Sequence, residues 1–155
     1  MTNPEMTDTP RQDYFFVTEE RLEPLRYQQL VSAPAYGAVT SFVGTVRSPN
    51  KGQVVRHIDY QGYDAMMYTQ MKVLAGELRA RFDLGGLVVA HRLGRLGPGE
   101  ASIAIVVASP HRRDSLEACH AAIDRAKALL PVWKYEVTEQ DEGWVAGSSQ
   151  AAEPL

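Results

Sequence analysis

The chain has 155 residues, 45% of them hydrophobic and 23% charged, which is ordinary for one globular domain with a real core. Its formal net charge of −3 excludes a general nucleic-acid binder, which needs a basic face against phosphates, so any anion site is local. The apolar runs are too short and interrupted to span a bilayer, and the acidic, polar start lacks a signal-peptide pattern, so a cytoplasmic protein with no membrane association is expected.

Residues 1–12 and 147–155 are small, polar and proline-containing, and both read as flexible tails around a single domain over 13–146. From Tyr36 to Arg47, YGAVTSFVGTVR reads as a strand rich in valine, threonine and phenylalanine. SPNKGQ follows as a mobile turn-forming loop, and the alternation in VVRHIDYQGY, 54–63, predicts a second strand. Asp64 then offers an N-cap to a helix whose apolar positions are Met67, Met71, Leu74, Leu78 and Phe82, stopped by Gly85 and Gly86. LVVAHRLG, 87–94, and ASIAIVVAS, 101–109, are strand-like and are joined through the turn dipeptide Pro98-Gly99. A second helix is expected from Pro110 to Leu130, with Leu116, Cys119, Ile123, Ala126 and Leu130 inward, and Pro131 ends it. VWKYEVTE is extended. Helices interleaved with at least four strands, some joined by tight turns, predict an α+β domain with mixed pairing.

Four groups of residues are candidates for chemistry. In Ser109-Pro110-His111-Arg112-Arg113, a strand meets a helix: Ser109 suits an N-cap, and free backbone N–H groups beside His111 and Arg112 attract an anion. Arginines paired with Asp114 or Glu117 at a solvated helix start are the alternative there. Arg47 ends the first strand beside a loop, a place where function often sits. Lys127 lies in the last turn of the second helix, where a cation complements the dipole. Lys134 is flanked by Trp133 and Tyr135, so in an extended segment its side chain points away from both rings, toward solvent or into a pocket. A lysine in a partly dry pocket near other cations has a lowered pKa and serves as acid, base or nucleophile. The one cysteine, Cys119, excludes an internal disulfide and a cysteine-rich zinc site, and a small core residue is its expected role. His57, His91 and His120 share no ligand spacing, so no metal site is expected, and no phosphate-loop or nucleophile-elbow motif is present.

GTVR at 44–47, HRLGRLGPGE at 91–100, SPHR at 109–112, Lys127 and PVWKYE at 131–136 occur together in this order. The set resembles the large, catalytic subunit of molybdopterin synthase, over about Tyr14 to Val145. The resemblance implies an α/β-hammerhead domain that dimerises, with a mixed or antiparallel sheet. It implies a sulfurtransferase of molybdenum cofactor biosynthesis that needs no cofactor of its own. The substrate would be cyclic pyranopterin monophosphate, which gains the two dithiolene sulfurs of molybdopterin. The sulfur donor would be a C-terminal glycine thiocarboxylate on a small ubiquitin-like partner, in a heterotetramer of two large and two small subunits. Lys127 and Lys134 match the family's two pocket lysines, which implies a catalytic role. Thr45, Val46, Arg47, His111, Arg112, Tyr135 and Glu136 fall in the motifs assigned to substrate binding. Thr45 and Tyr135 stand where the family usually has basic residues, and no arginine follows Trp144-Val145. The homodimer is expected to place Arg47 of one chain across the interface from the lysines of the other. A non-catalytic scaffold for a ubiquitin-like protein, and a nucleotide-phosphate enzyme built on SPHRR, are the competing readings.

Overall fold

The structure, a computed structural model, describes residues 12–145. Along the chain run β1 (Gln12–Thr18), α1 (Pro24–Val31), β2 (Ala38–Thr45), β3 (Val55–Gly62), α2 (Asp64–Arg81), β4 (Gly86–Arg92) and β5 (Gly94–Leu96). They are followed by β6 (Ala101–Ser109), α3 (Arg112–Leu129), β7 (Val132–Thr138) and β8 (Glu142–Trp144). The expected α+β architecture is present. It is built on two sheets of strand order β1-β4-β6-β2 and β5-β3-β7-β8. The first sheet is mixed, because β1 runs parallel to β4 while β4, β6 and β2 pair antiparallel. The second is antiparallel throughout.

Strands β4 and β6 are continuous apolar runs because the first sheet is covered on both faces. Leu87, Val89, Ile103, Ile105 and Val107 point into the main core with α2 and α3. The alternate residues Val88, Ala90, Ala104, Val106 and Ala108 face the other way, into a smaller core with Tyr27 and Val31 of α1. Period-two geometry thus splits each strand between two cores.

Several boundaries differ from the sequence reading. Gln12 opens β1 rather than closing a tail, while residues 1–11 and 146–155 lie outside the described residues. Both β1 and α1 were absent from the sequence reading: β1 is a half-buried strand at the sheet's margin, and α1 is one short helix without a side-chain cap. Tyr63, not Asp64, is the N-cap of α2, which gives way at Phe82 before the two glycines. Gly85 and Gly86 serve close packing instead. A β-carbon on Gly86 would sit 2.6 Å from Val31 Cβ, and one on Gly85 would run into the Tyr36 ring. Leu116, expected inward, is 57% exposed. The expected Cys119, Ile123, Ala126 and Leu130 are buried, and Ser115, Ala118 and Ala122 complete the inward stripe of α3. Small residues are needed there because the helix lies close on β6 and β2, and the Ser115 hydroxyl donates to the Val107 carbonyl at 3.0 Å.

Candidate active site

The GTVR end of β2 is held from below by the HRLGRLGPGE segment. The Val46 N–H donates to the Glu100 carbonyl at 2.9 Å, and Gly99 N–H donates back to the Val46 carbonyl at 2.8 Å. Gly94 and Gly99 adopt φ of 91° and 84°, which L side chains rarely reach, so the glycines are needed to fold this support under the strand end. Val46 is buried and Arg47 emerges exposed. On the opposite side, Pro131 separates the end of α3 from β7. Because side chains alternate along β7, Trp133 and Tyr135 turn to the outer face of the second sheet while Lys134 and Glu136 turn inward.

These elements enclose a cleft of about 770 Å³, lined by Thr45, Val46, Arg47, Lys127, Lys134 and Glu136 among others. It deepens into a chamber of about 260 Å³ whose walls include Tyr60, Ile103, Ile123 and Leu130. Both lysines border the cleft and the chamber alike. Burial depresses the Lys134 pKa, the charge on Lys127 depresses it further, and Glu136 opposes both. The Lys134 ammonium lies 5.7 Å from the centre of the Tyr60 ring, within cation–π range. Burial also raises the Tyr60 phenol, against a hydrogen bond with Ser102.

One cleft residue escaped the sequence reading because it matches no ligand spacing. His91 is 6% exposed and its ring packs edge-on against Tyr60 at 5.6 Å. Its Nδ1 faces the Arg92 carbonyl at 2.9 Å, which assigns the proton to Nδ1 and leaves Nε2 as an acceptor. Burial drives its pKa down to about 4, so the ring is neutral near pH 7. Tyr60, Ser102 and Asn50 were likewise unmarked. Tyr60 on β3, Ser102 on β6 and Asn50 in the loop after β2 reach the cleft only because it lies where the two sheets meet.

The remaining expected site residues lie elsewhere. Tyr135 packs its ring edge-on against Trp144 at 5.1 Å on the outer face. His111 is the N-cap of α3 and Arg112 its first residue, both exposed, while Lys127 is in the last turn. Fifteen residues of α-helix set Arg112 about 22 Å from Lys127 in the same chain. Ser109, expected as the N-cap, is the buried last residue of β6, and its hydroxyl has no partner among the described residues. Arg47, expected across an interface from the lysines, shares their cleft within one chain. Among the described residues no group of three or more histidine, cysteine or acidic side chains is placed to hold a metal. Nor is any helix there long and apolar enough to cross a membrane.

The MoaE protein family model matches residues 17–129. The chain belongs to this family. It is 42% identical over 132 residues to molybdopterin synthase catalytic subunit 2 of Aedes aegypti, covering 84% of this chain and 85% of that one. It is 38% identical over 132 residues to the human molybdopterin synthase catalytic subunit, covering 85% of this chain and 70% of that protein. The crystal structure of molybdopterin synthase from Staphylococcus aureus superposes with a TM-score of 0.82 at 29% identity, over 85% of this chain and 96% of that one. The same fold occurs in a complex of subunits 1 and 2 of molybdopterin-converting factor from Helicobacter pylori 26695, with a TM-score of 0.69 at 22% identity over 89% and 92% of the chains. The family match extends from β1 through Lys127, so the family's fold carries the β2 end and the helix that build the cleft.

Proposed function

We propose that this protein is the catalytic subunit of a molybdopterin synthase, moving sulfur from a thiocarboxylated small partner onto cyclic pyranopterin monophosphate. The observation that carries this reading is the convergence of Lys127 and Lys134 on one half-dry cleft from separate elements, with Arg47 at its edge. A thiocarboxylate tail is anionic and extended, so it needs cations at its end and a channel that excludes water. As its sulfur attacks the pterin, a thioester links tail and pterin. When a water then adds to its carbonyl and the C–S bond breaks, sulfur stays on the pterin, the tail leaves as a carboxylate, and negative charge develops on the carbonyl oxygen. Two ammonium groups fixed beside that oxygen stabilise the charge more in the transition state than in the bound tail. Because burial and Lys127 lower its pKa, the Lys134 ammonium gives up a proton more readily than a free lysine and also exchanges protons with the pterin. Arg47 meets the substrate's anionic end.

His111 and Arg112 enter through a second copy of the chain. Among the described residues no side chain caps the start of α3, so its backbone N–H groups stay available to a phosphate, yet that end is one helix length from the lysines. In a twofold dimer the helix start of one copy reaches the cleft of the other. The outer edge of β2 supports this: among the described residues no strand pairs with it, and Val39 and Val43 on it and Leu116 on neighbouring α3 are exposed. Tyr135 stays on the outer face, supporting β8 rather than touching substrate.

The test incubates the purified protein with thiocarboxylated partner and cyclic pyranopterin monophosphate and measures dithiolene product. Product formation by the wild type, and its loss in Lys134→Ala with partner binding retained, is expected. A wild-type protein that binds the partner and yields no dithiolene overturns the assignment in favour of a scaffold.

A further inference from the structure

The segment SPNKGQ, expected as a mobile loop, is a closed hairpin. Asn50 N–H donates to the Gln53 carbonyl at 2.9 Å, and Gln53 N–H donates back to Asn50 at 3.0 Å. The two residues between them, Lys51 and Gly52, have φ of 50° and 76°. That double positive φ is the type I′ geometry, whose twist matches that of paired strands. The Ser48 hydroxyl ties the base of the loop by accepting the Val55 N–H at 3.0 Å. The turn is therefore closed by backbone, and the Asn50 side chain is free for other work.

That side chain bridges two residues of the cleft. Arg47 Nη2 donates to Asn50 Oδ1 at 2.8 Å, and Asn50 Nδ2 donates to Glu136 Oε2 at 3.1 Å. The order of the bridge is fixed by chemistry, since a guanidinium only donates and a carboxylate only accepts. A flipped amide would oppose like partners at both ends. Aspartate lacks the donor that Glu136 needs.

We propose that Asn50 is a positioning residue, an amide spacer that holds the Arg47 guanidinium apart from the Glu136 carboxylate so that it stays available to the substrate's anionic group. Arg47 is exposed and long, and fixing it in advance removes ordering entropy that binding would otherwise have to supply. Without the spacer, Arg47 and Glu136 can close into a direct ion pair, which consumes the charge that the substrate requires. Only one Arg47 nitrogen is occupied by Asn50, and the planar fork keeps further donors for an incoming anion. This inference rests on reading the cleft as the pyranopterin site.

Two measurements separate the bridge from that reading. In the ¹⁵N-labelled protein without substrate, the Asn50 side-chain amide resonance, assigned by its loss in Asn50→Ala, should shift in both Arg47→Ala and Glu136→Gln. An amide that moves in neither shows that no bridge exists. With partner and pyranopterin, Asn50→Ala should raise the half-saturating substrate concentration about tenfold, as expected for losing a hydrogen bond to a charged group, while the limiting single-turnover rate stays within about twofold. Asn50→Asp should show the same defect, because it neutralises Arg47 and repels Glu136. Gly52→Ala, which strains only the turn, should lower the unfolding midpoint with a smaller effect on substrate saturation. Unchanged saturation in Asn50→Ala, or a limiting rate and a midpoint that fall together with it, overturns the positioning role. Failure of the wild type to form any product would instead strike the functional reading and leave the resonance test of the bridge standing.

Discussion

At the scale of single residues, function and stability pull in opposite directions on Lys134. Its charged form is penalised by burial and by Lys127, so the lysine is held in the cleft at a cost to the folded state. Lys134→Met keeps the length and removes the charge. It should raise the thermal midpoint or leave it level while reducing product formation by about 10²-fold or more, the scale of a lost acid–base and charge-stabilising group. Lys127→Ala should likewise lose activity with its fold intact, as an exposed residue of a helix end. Circular dichroism melts alongside the dithiolene assay check both, and a midpoint drop large enough to explain the lost product would contradict the assignment. His91 offers a test by pH. Above pH 6.5 the ring is neutral in folded and unfolded chains alike. As pH falls toward about 4, the unfolded chain takes up a proton that the folded ring refuses, so stability falls. The shift from 6.5 to about 4 is worth about 3 kcal/mol. His91→Gln should remove this component, so that its stability relative to the wild type improves from pH 7 to pH 4.5 in denaturant titrations. Parallel pH profiles would contradict the buried neutral state.

At the scale of elements, the sequence was readable where one chemical signal dominated. The apolar runs of β4 and β6, the 3.6-residue spacing of α2 and the proline break after α3 each dictated an element. The reading failed where packing, not pattern, decided. Leu116 has the right spacing for the inner face of α3 but lies one step off the small-residue stripe that β2 and β6 accept. Ser109 looked like a cap, but β6 runs through it and the helix starts three residues later. Gly85-Gly86 looked like a helix stop, and their real constraints are the Tyr36 ring against Gly85 and, against Gly86, Val31 of α1, an element that local sequence did not announce. Gly86→Ala should therefore destabilise the protein by about 1–3 kcal/mol through overpacking against Val31, although it lies far from the cleft and in a strand where alanine is otherwise acceptable. Urea unfolding checks it, and a neutral effect would show that α1 is free to shift. The two lysines and Arg47 were legible as candidates from motif order. Asn50, Tyr60, Ser102 and His91 were not, because their meeting depends on the pairing of β3 with β7 and of β4 with β6.

At the scale of the whole molecule, the distances within one chain decide how the site is assembled. Arg47, Lys127 and Lys134 share a cleft, whereas His111 and Arg112 stand at the far end of α3. Each working cleft is therefore proposed to take its lysines and Arg47 from one copy and its helix-start cations from the other. Subunit mixing tests this most directly. Lys127→Ala and Arg112→Ala proteins, each inactive alone, are combined under conditions that exchange subunits, supplied with thiocarboxylated partner and pyranopterin, and assayed for dithiolene. Random exchange makes half of the dimers mixed, and one of the two sites in each is intact, so activity should return to about a quarter of the wild type. A mixture of Arg47→Ala with Lys127→Ala should stay inactive, because those lesions fall on the same cleft in either copy. No recovery in the first mixture, or recovery in the second, would contradict the account.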